Sequence, residues 1–302
     1  MRKKKNLSKI NPKLLLFLGV VGVSLSAIFV KYSSAPSLVT ATYRLAWTVA
    51  ILIPLSLKKS LPEIKQFTKK EVFAAIAAGI LFALHFTLWF ESLKHTTIAS
   101  STVLVDTDVI FAAIGFCIFM HGRIPKKGII AIGVTVCGGV ITALAGGGEG
   151  TSSFFGNMLA LSAAVLIAGY TLIGRYARSR NISTTAYTLI TYSSCLVTLL
   201  ILDFATGTPI TGYGIKEILI GLGLAVFCNL LGHSIVSWSL KYLTPAYVSA
   251  VKLCEPVFST ILGVLIFREI PKPMQVLGAA IIIGGVYVYS AVENAATEKS
   301  DN

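Results

Sequence analysis

Several charged and titratable side chains stand inside long apolar runs of this 302-residue sequence: Arg44, His85, Asp106, Asp108, His233, Lys252 and Glu255. A charge at the centre of a bilayer costs ~2.5–3.5 kcal/mol even on the lenient insertion scale, so each needs a partner or a task. The carboxylates of Asp108 and Glu255 are suited to a substrate ammonium or a coupling proton. Arg44 and Lys252 are suited to a substrate carboxylate. His85 and His233 titrate near neutral pH in water and could line a pathway or carry a proton. Trp89, one turn after His85, and Asn229, one turn before His233, complete a set that could shape specificity.

A plainer account lets these charges neutralise one another. Lys252 lies three residues before Glu255, on the same helical face and within reach of an ion pair. Arg44 could pair with Asp106 or Asp108. Those two aspartates are two residues apart and so point about 200° apart on a helix, which lets only one face a central cavity directly. The histidines could equally be interior hydrogen-bonding groups. No HExxH, phosphate loop or paired His/Cys spacing is present, so neither a metal nor a cofactor is expected. An intramembrane enzyme joining His85 or His233 to Ser234 or Ser237 lacks a supporting motif, and non-enzymatic function is the expectation. The cysteines Cys117, Cys137, Cys195, Cys228 and Cys254 form no CxxC and read as small hydrophobes.

The elements that must position these groups follow from composition. The chain is 55% hydrophobic and only 13% charged, with a mean hydropathy of +0.79. A soluble domain of this size could not bury that much apolar surface. Runs long enough for a membrane helix of about 20 residues occur at 14–31, 38–57, 72–93, 97–120, 128–145, 154–174, 185–203, 216–240, 245–267 and 274–291. The expected fold is therefore an all-α integral membrane protein of ten transmembrane helices around a central cavity. The N-terminal basic cluster and Leu14-Leu15-Leu16-Phe17 look like a signal peptide, but the segment reads as a retained first helix.

The net charge of +13 gathers in short clusters rather than on one face, which argues against nucleic acid as a partner. The clusters up to Lys13, at Lys58–Lys70, at Arg123–Lys127 and at Arg175–Arg180 all fall on one side when the spans are threaded in order. That puts both termini in the cytoplasm of a multi-pass protein of the cell membrane. Its expected partners are the bilayer, a small-molecule substrate and a coupling proton, with a monomer or homodimer as the assembly.

The sequence also repeats. Ser92-Leu93-Lys94 recurs as Ser239-Leu240-Lys241, and the same spacing pairs Asp108 with Glu255 and Phe111 with Phe258. Slightly further on, Ile124-Pro125-Lys126 matches Ile270-Pro271-Lys272, and Gly138-Gly139-Val140 matches Gly284-Gly285-Val286. The organisation is thus a basic terminus (1–13), a first five-helix repeat (14–145), a Gly-rich linker (146–153), a second repeat (154–291) and a tail (292–302). Five is odd, so the second repeat enters from the opposite side, an inverted arrangement that suits alternating access. The repeat register favours Asp108 for the cavity and turns Asp106 toward a neighbouring helix. The dense small residues of spans five and ten allow close helix contact, within the chain or between protomers.

The run Glu255-Pro256-Val257-Phe258 with Glu269, preceded by His233, Trp238, Leu240 and Lys241, and Tyr43-Arg44 in the second span, resembles the EamA-type transporters of the drug/metabolite transporter superfamily. The resemblance covers about 14–290. It implies a ten-helix basket in which spans three, four, eight and nine line the cavity, and export of amino acids, other metabolites or toxic organic compounds. The first half departs from the family pattern at Asp108-Val109, where Pro is common, and around Gly122-Arg123, where an acidic residue is usual. The resulting expectation is a secondary transporter exporting amino acids or similar polar metabolites. The alternatives are proton-coupled efflux of cationic or aromatic drugs and a non-transporting membrane scaffold.

Overall fold

The computed structural model describes residues 11–96, 101, 104–146, 153–180, 182–267 and 271–301. The basic residues before Asn11, the Gly-rich linker at 147–152, Glu269 and the repeat positions 97–100 lie outside them. The described residues are helical or in short links, and none is in a strand. In chain order the helices are α1 (Pro12–Tyr32), α2 (Ser37–Ile64), α3 (Lys69–His95), α4 (Asp108–Phe119), α5 (Lys126–Gly146), α6 (Phe154–Ser179), α7 (Thr184–Ala205), α8 (Ile215–Ser239), α9 (Pro245–Lys252), α10 (Glu255–Phe267) and α11 (Pro273–Asp301).

Their starts are encoded locally. Asn11 accepts the amide of Lys13 at 3.0 Å, with Pro12 at the first helical position. Thr68 and Glu71 cap each other reciprocally at the start of α3. Ser153, Ser183 and Thr244 accept amides at the starts of α6, α7 and α9. In lipid every backbone group must be satisfied within the segment, which is why a chain this apolar resolves into helices.

Seven of these helices, α1, α2, α3, α6, α7, α8 and α11, are long and apolar enough to cross a membrane. The runs expected at 97–120 and 245–267 are instead interrupted. Helical residues 104–106 are separated from α4 by a turn at Thr107, and α9 is separated from α10 by Leu253-Cys254. Both interruptions use i to i−3 bonds: Thr107 N to Leu104 O, Leu253 N to Ala250 O and Cys254 N to Val251 O. Such tight turns inside a helix mark a hinge or a site. Both stand immediately before the repeat-matched acids, Asp108 and Glu255. A third irregularity lies in α8, where Leu224–His233 is π-helical.

Packing interlocks the two halves of the chain. One core cluster joins Leu16 and Val20 of α1, Val109 of α4 and Ala131 of α5 to Tyr247 of α9 and Ile282 of α11. A second joins Leu45 of α2 and Phe82 of α3 to Tyr170 of α6 and Tyr192 of α7, and a smaller third sets Ile220, Leu224 and Cys228 of α8 against Leu25 and Phe29 of α1. Each core thus draws on both halves. The small residues of α5 and α11 meet within the chain. A Cβ on Gly278 would stand 2.8 Å from the carbonyl oxygen of Gly138 and 2.7 Å from the amide of Thr142. Gly133 and Gly284, by contrast, have nothing within 4 Å.

Candidate functional site

The irregular turns of the two interrupted segments carry an ion pair, though not the one that spacing suggests. Lys252 Nζ donates to Asp108 Oδ2 at 2.7 Å, and Ser249 Oγ donates to the same oxygen at 2.9 Å. The i, i+3 pairing of Lys252 with Glu255 does not form, because the turn at Leu253-Cys254 breaks the helix between them. Asp108 is 2% exposed and packed against α9. Asp106 is the more exposed of the two aspartates. Glu255 is partly exposed and makes no hydrogen bond among the described residues, while Asp106, Asp108, Lys252 and Arg44 all lie within its electrostatic range.

Arg44 is 1% exposed and pairs with neither aspartate. Its Nε donates to Asn229 Oδ1 at 2.7 Å and its Nη1 to Ser26 Oγ at 3.3 Å. Its guanidinium carbon sits 4.6 Å from the centre of the Phe86 ring, an attractive cation–π contact. Its Nη2 is buried and has no hydrogen-bond partner among the described residues. Asn229 is fixed in turn by its Nδ2 donating to Thr48 Oγ1 at 3.0 Å, and that hydroxyl donates to the Arg44 carbonyl at 2.7 Å. The π-helical turn of α8 presents Asn229 and His233 together to α2 and α3.

An aromatic stripe on α3 links the remaining residues. Phe82, His85, Phe86 and Trp89 follow the i, i+3, i+4, i+7 spacing of one helical face. His85 stacks on Trp89 at 5.9 Å and directs Nδ1 to the Ala163 carbonyl at 3.0 Å. The Phe82 ring lies 4.6 Å from Tyr170 and 4.9 Å, edge-on, from His233. Both histidines fall within electrostatic range of Arg44 and Lys252. Trp89 Nε1 is buried with no partner.

The structure joins Arg44, His85, Trp89, Asn229 and His233 in one contact network through Phe82 and Phe86, and Asp108 with Lys252 in a second, while Glu255 is bonded to neither among the described residues. It adds Asp106, Ser26, Ser249, Phe82 and Phe86. The phenylalanines were legible from the α3 stripe, whereas Ser26 and Ser249 carry no signal among the many hydroxyl residues of apolar helices. Ser237 bonds the Tyr170 hydroxyl at 3.0 Å and Ser234 the Asn229 carbonyl at 3.0 Å, so neither serine is bonded to a histidine. Chemically the arrangement offers unpartnered carboxylates, an oriented guanidinium and aromatic faces. It suits binding and release of a small polar solute.

Apolar helices enclosing such a charged interior define a multi-pass membrane protein of the transporter type. The comparisons specify it: the EamA-like transporter family matches residues 12–144 and again 154–291, and the chain belongs to that family. It is 28% identical over 255 residues to the uncharacterized transporter YetK of Bacillus subtilis, covering 82% of this chain and 75% of that one. An uncharacterized transporter of Archaeoglobus fulgidus is 23% identical, covering 77% of this chain and 79% of its own. The pseudopaline exporter CntI of Pseudomonas aeruginosa is 21% identical, covering 69% and 71%. A solved crystal structure superposes with a TM-score of 0.78 at 17% identity, over 94% of this chain and 98% of that chain, and so shares the fold.

Proposed function

We propose that the protein is a secondary active transporter that exports amino acids or similar small polar metabolites by alternating access. The observation that carries this reading is the matched pair of acids, Asp108 and Glu255, each directly after a tight turn in corresponding segments of the two repeats. Interrupted membrane helices gather at the substrate site of many transporters, and inverted repeats let two similar halves exchange conformations. On this reading the chain has ten spans, five per repeat, with opposite orientations and both termini cytoplasmic in the cell membrane. The double match of the family, once in each half, supports the two-repeat organisation. The exporter name of one relative agrees with outward transport.

Asp106 and Glu255 take the positive end of the cargo or the coupling proton, and Lys252 holds Asp108 in place beside them. The test is uptake of labelled amino acids by proteoliposomes under an imposed pH gradient. The wild type is expected to respond to the gradient, and Glu255→Gln and Asp106→Asn to lose the response. Gradient-independent flux, identical in all three proteins, would overturn proton coupling through these acids.

A further inference from the structure

The buried cations are not equivalent. Lys252 is spent: its ammonium lies 2.7 Å from Asp108, and a second anion there would compete with a buried ion pair. Arg44 is fixed but not spent. Two of its nitrogens are held, by Asn229 and Ser26, the Phe86 ring covers one face, and Nη2 has no partner. A buried donor left without an acceptor costs on the order of 1–3 kcal/mol, and more when it is charged. The surrounding Arg44–Asn229–Thr48 chain of hydrogen bonds holds the guanidinium in this orientation. Among the described residues no carboxylate bonds Arg44, although Glu255 lies within its electrostatic range.

We infer that Arg44 Nη2 is the carboxylate-binding group of the transport site, with Asn229 as its positioning residue, so that the cargo carries a free carboxylate as well as a positive end. This deepens the transporter reading and rests on it. A carboxylate at Nη2 supplies the missing acceptor, and an ammonium on the same molecule is directed toward Glu255, the acid within range of Arg44. Amino-acid methyl esters and simple amines, which keep the ammonium but lack the carboxylate, would satisfy the acids but leave the guanidinium bare. A charge-assisted hydrogen bond contributes about 1.5–3 kcal/mol, which corresponds to roughly 10- to 100-fold discrimination.

The experiment is competition against uptake of a labelled L-amino acid mixture into proteoliposomes, with unlabelled amino acids set against their methyl esters and decarboxylated amines. Wild-type protein is expected to prefer the free acids at least about tenfold. Arg44→Gln is expected to raise KM for the acids to that of the esters while leaving ester inhibition unchanged. Asn229→Ala is expected to raise KM for the acids with a smaller effect on kcat. Acids and esters competing equally in the wild type would overturn the inference and leave amino-acid transport standing, without needing any variant to fold. Absence of amino-acid uptake in the wild type would instead overturn the transporter reading on which it rests.

Discussion

Lys252 and Asp108 act as one group, so each should be costly to remove alone. Breaking a buried pair leaves an uncompensated charge and costs on the order of 3–5 kcal/mol. Lys252→Ala is therefore expected to lower the melting temperature of the detergent-solubilised protein sharply, and Lys252→Ala with Asp108→Ala to recover much of the loss. Additive destabilisation in that double-mutant cycle would mean the two side chains are not coupled. Glu255→Gln should leave the melting temperature nearly unchanged, because no described residue bonds its carboxylate. At this scale the sequence located the reactive residue types well, since an ionisable group in an apolar run announces itself. It did not yield the pairing. Spacing put Lys252 beside Glu255 on a continuous helix, and the turn at Leu253-Cys254 redirected it to Asp108. Long-range partners such as Ser26 and Asn229 for Arg44 depend on tertiary packing that no local pattern carries.

The helices themselves were largely legible, because hydrophobic length and capping residues act locally. Their irregularities were not. The turns before Asp108 and Glu255 lack a Gly or Pro immediately ahead of them, and the π-helical stretch Leu224–His233 looks like any apolar run. The close pairing of α5 with α11 rests on Gly138 and Gly278, whose Cα atoms leave no room for a side chain. Gly278→Leu is expected to destabilise the protein by about 1–3 kcal/mol through overpacking. Gly284→Leu, on the open face of the same helix, is expected to stay within about 0.5 kcal/mol of the wild type. Thermal melts of the two variants check this directly. Equal effects would show that the α5–α11 contact does not control stability.

For the whole molecule, the core clusters draw helices from both halves of the chain, which argues against the halves moving as independent domains on a linker. On the proposed alternating-access mechanism, rocking changes the contacts between them while the three irregular segments keep the charged groups together. On the proposed topology, a cysteine placed at Lys58–Lys59, in the basic closing turns of α2, should react only with a cytoplasmic reagent. One placed at Gly207, in the link between α7 and α8, should react only from outside. Reversed or equal labelling would contradict the inverted arrangement. The central claim, that this interior carries cargo across a membrane, is tested most directly by counterflow. Purified protein in liposomes preloaded with unlabelled amino acids is expected to accumulate the labelled mixture transiently, saturably and above the level of empty liposomes. Folded, correctly inserted protein that gives no accumulation above empty liposomes would contradict that claim.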